Sequence, residues 1–159
     1  LSIQMASILA ASTALGRFIA GIVLRKTRWL MVVIACLVAA AALVLLSIPL
    51  ASQVSPGSIT GWASAPLVAF IFPAIGLLLA PVYPAINSAI LSSLPPRQHG
   101  PMAGLIVIFS ALGGTTGSII TGNIFQAFGG QTAFYFSLLP IGILIVSLIS
   151  FDRLQSRPS

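Results

Sequence analysis

Residues 25–51 read RKTRWLMVVIACLVAAAALVLLSIPLA. The stretch opens with Arg25, Lys26 and Arg28 and then carries no further charge. A helix needs about 20 predominantly apolar residues to cross the hydrocarbon core of a bilayer, so the uncharged part predicts one membrane span over about 30–51. Working outward, comparable runs occupy about 3–24, 64–92, 101–122 and 132–151. The apolar fraction of 58%, the charged fraction of 5% and a mean hydropathy of +1.13 exclude an ordinary soluble domain. The expected fold is all-α: a polytopic transmembrane helix bundle of five spans forming one domain over residues 1–159.

The remaining charges sort between the gaps. Arg97 lies in the third gap, Arg153 and Arg157 follow the last span, and the second and fourth gaps carry no charge. Cytoplasmic loops retain Lys and Arg, so the N-terminus is expected outside and the tail from Asp152 to Ser159 in the cytoplasm, in an integral protein of the cell (inner or plasma) membrane. Trp29 then marks the inner boundary and Trp62 the outer one, while Phe125, Phe128, Phe134 and Tyr135 bracket an outer turn around Gly129-Gly130 as an aromatic belt. The net charge of +6 sits at helix ends, where it meets anionic lipid headgroups rather than nucleic acid. The first apolar run has its positive cluster behind it, the order of an N-outside helix and not of a cleaved signal. An odd span count and the absence of an initiating Met lead us to expect a missing N-terminal part.

The span at 64–92 gathers Pro73, Gly76, Pro81 and Pro84. Each proline removes a backbone donor and favours a kink, and broken helices are where transporters place substrate sites. Gly76, Ala80, Tyr83 and Asn87 share a helical stripe. Tyr83 and Asn87 are therefore candidate substrate contacts, able to hydrogen-bond polyol hydroxyls, or else they bond neighbouring helices. The span at 101–122 is rich in glycine and hydroxyls. Gly100/Gly104 and Gly113/Gly117 have GxxxG spacing, which suits close helix packing, and Gly113, Gly114 and Gly117 could equally serve helix sliding, with Thr115 lining a polar channel. Gln4 is a further pathway candidate or simply solvated near the outer boundary. Arg17 can snorkel to the inner interface, His99 is expected in solvent, and Cys36 packs as a small apolar residue. Asp152 is the sole acidic residue and follows the last span, so no carboxylate lies within one. With no paired carboxylates, no Ser/His/Asp set and no metal-ligand cluster, neither enzyme chemistry nor a cofactor nor a metal is expected.

The inner loop Gly16-Arg17-Phe18-Ile19-Ala20-Gly21, running into Arg25-Lys26-Thr27-Arg28, resembles the loop after the eighth helix of major facilitator superfamily transporters, with Arg25 where that pattern has an Asp. Gly76 to Ser88, including Pro81, Tyr83, Pro84 and Asn87, looks like the tenth helix of the fucose permease-like sugar porters. Gly100 to Gly104 and Gly113 to Ser118, then Gly122 and Gly129, resemble their eleventh helix and the turn beyond. The resemblance implies helices eight to twelve of a twelve-helix secondary transporter, in which two halves rock about a midplane site to move a small polar solute such as a sugar by alternating access. Its partners are then the lipid bilayer, the solute and the missing N-terminal half. Two other readings stand beside it: drug or metabolite efflux, which requires a more aromatic cavity, and a non-transporting membrane subunit.

Overall fold

The computed structural model describes residues 2–24, 27–51 and 68–155. Arg25, Lys26, Trp62, Arg157 and the 52–61 part of the expected outer loop lie outside them. The elements are α1 (Ser2–Val23), α2 (Trp29–Ala51), α3 (Val68–Leu79), α4 (Val82–Ser92), a 3-10 turn (Pro96–Gln98) and α5 (His99–Gln155). No strand occurs among the described residues.

The second helix shows what solvent this fold needs. Val33, Leu37, Ala40 and Val44 recur at helical spacing and are buried, with Val33 and Leu37 each only 1% exposed. On the other side Met31 is 65% exposed, and Val38 and Leu46 are each 53% exposed. A helix apolar on every side belongs in a protein core or a membrane, and here half of it has no protein cover. Stretches long and apolar enough to cross a membrane run over Trp29–Ser47, Phe70–Ser92 and Pro96–Leu154, with a shorter apolar helix at Ser7–Val23. These are dimensions that suit a membrane-embedded bundle.

The single span expected over 64–92 is two helices in the structure. Pro73 sits inside α3 without ending it, as Pro49 and Pro140 do in α2 and α5. The break falls at Ala80 and Pro81, because Pro81 and Pro84 together withdraw two donors within one turn, those owed to the carbonyls of Leu77 and Ala80. The ends are closed by Ala80 N–H donating to Gly76 (3.0 Å) and Ala85 N–H donating to Pro81 (3.0 Å). Gly16 of α1 lies directly against the Leu77 backbone, so that a Cβ there would run into the Leu77 carbonyl. Its Cα–H is thereby aimed at an oxygen that Pro81 has deprived of its usual donor, a weak but recurrent helix–helix contact.

The last element also departs from expectation. The turn expected between 122 and 132 is helical except at Gly129, whose φ of 82° and ψ of 171° are open in practice only to glycine. The 59 residues Pro96–Leu154 would make a rod about 90 Å long at about 1.5 Å per residue, three times the hydrocarbon thickness. Gly129 instead folds it into two limbs. The leading limb, 99–128, starts at the C-terminal end of α4 and reaches Tyr83, near the N-terminal end of that helix, through Ser110. The trailing limb, 130–155, sets Phe134 edge-on to Phe72 at 5.3 Å and packs Leu148 with Val33, Leu37, Val82 and Ala85. The limbs therefore run in opposite directions beside α4. The trailing limb helps close the core, whereas between Gly104 and Gly129 only Ile106 and Ile124 are less than exposed.

Two glycines on one helix separate packing from propensity. Gly16→Val should destabilise by about 1–3 kcal/mol, the usual cost of overpacking. Gly21→Ala, whose Cβ meets nothing within 4 Å, should be neutral or gain up to about 1 kcal/mol from helix propensity. Thermal melts followed by circular dichroism in detergent check both.

Candidate functional site

A groove of about 430 Å³ lies between α4 and the leading limb of α5. The α4 wall is Tyr83, Ile86, Asn87 and Ile90, spaced by three and four residues along one face, and the facing wall is Met102, Leu105, Ile106, Phe109 and Ser110. Three polar groups converge within this otherwise apolar lining. Tyr83 and Asn87, one turn apart on α4, line it from one side and Ser110 from the other. Tyr83 is about half exposed, so its ring face stays open to a ligand.

Ser110 behaves differently from most hydroxyls here. Thr13, Thr27, Thr116, Thr132, Ser147 and Ser150 each donate to a carbonyl three or four residues back in the same stretch of chain. That arrangement satisfies a hydroxyl in lipid without any neighbour. Ser110 instead lines the groove facing Tyr83 and Asn87 of another helix, and the sequence offers no signal for it: Ser110 is one of many hydroxyls along 101–122, and its place depends on how α5 packs against α4.

The other expected site residues are dispersed. Thr115 is exposed farther along the leading limb and does not line the groove. Gln4 falls in the first turn of α1, with its side chain outside the described residues. The stripe expected to join Gly76 to Tyr83 is divided by the break at Pro81: a Cβ on Gly76 would meet Leu9 and Thr13 of α1, whereas Tyr83 faces α5. Pro81 is buried at that junction and Pro84 is exposed in the first turn of α4. Cβ atoms added to Gly113, Gly114 or Gly117 would find nothing within 4 Å. Among the described residues, then, no helix packs on the GxxxG face. In the motif expected at an inner loop, Gly16 of α1 is held against Leu77, while Arg17 and Arg28 are exposed.

His99, expected in solvent, is half-buried. Its Nε2 lies 2.9 Å from the Leu94 carbonyl. A carbonyl only accepts, so Nε2–H donates, closing the turn that carries the chain from α4 into α5. Cys36 is half-buried against a separate apolar cleft.

In comparisons with protein-family models, curated proteins and solved structures, nothing matches this chain.

The open surroundings of the leading-limb glycines have a measurable consequence. Gly113→Ala, Gly114→Ala and Gly117→Ala should each leave the melting temperature of the isolated chain unchanged or raise it, by up to about 1 kcal/mol of helix propensity. A lowered melting temperature in the same circular dichroism assay would show that a backbone packs there.

Proposed function

We propose that this chain is the C-terminal, five-span part of a major facilitator-type secondary transporter, moving a small polar solute by alternating access. The observation that carries the reading is the convergence of Tyr83, Asn87 and Ser110 on one groove between α4 and the leading limb. Phenol, amide and hydroxyl each offer donor and acceptor capacity, which suits solute hydroxyls. The Tyr83 ring can cover an apolar sugar face, so sugars are the first solute class to test. The apolar remainder of the groove raises the cost of any polar group left unpaired and thereby favours solutes whose hydroxyls match all three partners.

Span count and orientation belong to the same proposal. We count α1, α2, α3 with α4, and the two limbs of α5 as five crossings. Arg28, Arg97 and Arg153 fall at alternate junctions, and the Gly129 apex lies in the uncharged gap between spans four and five. That sorting supports a cytoplasmic tail. In this scheme Gln4 and Thr115 are accessory contacts. Gly113, Gly114 and Gly117 form a sliding face for the N-terminal half, while Pro81 and Pro84 set the bend that aims α4.

One observation favours a second reading, efflux of a more apolar solute. Phe109 shares the groove with Tyr83, and most of the lining is apolar. Cells expressing the complete gene separate the two by their uptake and export of a solute panel. For a hydroxylated solute, Asn87→Ala and Tyr83→Phe should each reduce kcat/KM by about tenfold, the scale of a lost hydrogen bond. For an efflux carrier, Phe109→Ala should do so while Asn87→Ala has little effect. Unchanged kinetics in Asn87→Ala and Tyr83→Phe for every accepted solute would remove this pair from the site.

A further inference from the structure

A second cavity, a cleft of about 410 Å³ with Pro81 in its lining, lies between α1, α2 and α3. Its walls include Ile19 and Val23 of α1, Met31 and Cys36 of α2, and Leu77 of α3, and they are almost wholly apolar. Along α1 the lining runs from Val23 back to Gly16, about 10 Å at about 1.5 Å per residue. At the α1–α2 junction the lining includes Thr27, followed at once by the exposed Arg28 and the first residue of α2. The Thr27 hydroxyl is already committed, donating to the Val23 carbonyl at 2.8 Å. Polar groups at this junction include the Arg28 guanidinium and the N-terminus of a long helix, whose leading N–H groups and dipole favour an anion.

An apolar slot whose lining reaches Thr27, next in sequence to a cation and to a helix N-terminus, suits an amphiphile with an anionic head. We propose that this cleft binds a single anionic phospholipid, with one acyl chain between α1, α2 and α3 and the phosphate at Arg28 and the start of α2. The inference goes beyond the transport reading and does not depend on what the groove at Tyr83 carries. Selectivity comes from the headgroup. Inside a bilayer an acyl chain gains little by exchanging lipid neighbours for apolar side chains, whereas a basic residue at the membrane surface attracts an anionic lipid about fivefold per charge. The cleft contributes shape, holding one lipid in place instead of an average shell.

Native mass spectrometry of the chain, taken from nanodiscs holding equal parts of phosphatidylglycerol and phosphatidylcholine, tests this. We expect one phosphatidylglycerol retained per chain in preference to phosphatidylcholine. Arg28→Ala should weaken that preference about fivefold, and Ala35→Phe, which fills the cleft from an exposed position on α2, should abolish retention. Equal retention of both lipids, or a preference that survives both substitutions, would overturn the proposal. Cys36 supplies a second reading on the unaltered chain. Its alkylation by N-ethylmaleimide should be slower in phosphatidylglycerol vesicles than in phosphatidylcholine vesicles, and equal rates count against an occupied cleft.

Discussion

Inside a bilayer a carbonyl that loses its donor has no water to turn to, and Pro81 puts Leu77 in that position. Gly16 answers it by bringing the backbone of α1 onto Leu77. No residue with a side chain could approach as closely, so the contact fixes both the place and the depth at which α1 meets α3. The same proline re-aims the chain. Before the break, Gly76 faces Leu9 and Thr13 of α1; after it, Val82 and Ala85 enter the core with Val33, Leu37 and Leu148, and Tyr83 and Asn87 turn toward α5. The apolar cleft is lined by Leu77, Leu78 and Pro81, up to this junction, and the polar groove by α4 residues from Tyr83 onward, after it.

The two limbs of α5 divide the labour of the bundle. The trailing limb packs on one side and is exposed on the other: Leu148 enters the core, Ile141, Leu144 and Ile145 pack beside it, and Leu139, Ile143 and Val146 are exposed. The leading limb touches α4 over its first turns and then stands clear. Thr116 bonds the carbonyl of Leu112 in its own helix, which satisfies a hydroxyl without water. A helix can thus carry many small polar residues through lipid at little cost, and that surface remains smooth enough for another backbone to lie against it.

Helix existence was legible from residue type and run length alone. The expected 30–51 and 3–24 became Trp29–Ala51 and Ser2–Val23, because long apolar runs flanked by charge leave little latitude. Breaks were harder to place. Three prolines, Pro49, Pro73 and Pro140, lie inside helices beyond the first turn, and sequence treats each much as it treats Pro81; only the pairing of Pro81 with Pro84 decides where the helix opens. Gly129 was recognised as a turn, but its neighbours 123–128 stay helical, having neither proline nor glycine to release them. At the groove, Tyr83 and Asn87 could be paired from spacing because one helix sets their separation. Ser110 could not, since the residues it faces lie on another helix and no rule of local periodicity reaches that far. His99 was misjudged for the same reason: its acceptor, the Leu94 carbonyl, is supplied by the way a turn closes and not by a neighbouring side chain.

The groove holds no charged side chain among its lining residues, and this limits what it can select. A charged solute would lose its hydration without gaining a counter-ion, which apolar surroundings punish more heavily than any other mismatch. A hydroxylated neutral solute loses only hydrogen bonds that Tyr83, Asn87 and Ser110 can replace. The same absence bears on energy supply. Asp152, the only carboxylate side chain of the 159 residues, follows the last apolar run rather than interrupting one. In the transporter reading, recognition and coupling are therefore separated in space. On that reading these helices would supply the hydrogen bonds that choose the solute, and the group carrying a coupling proton or ion would belong to a half packed against the exposed face of the leading limb.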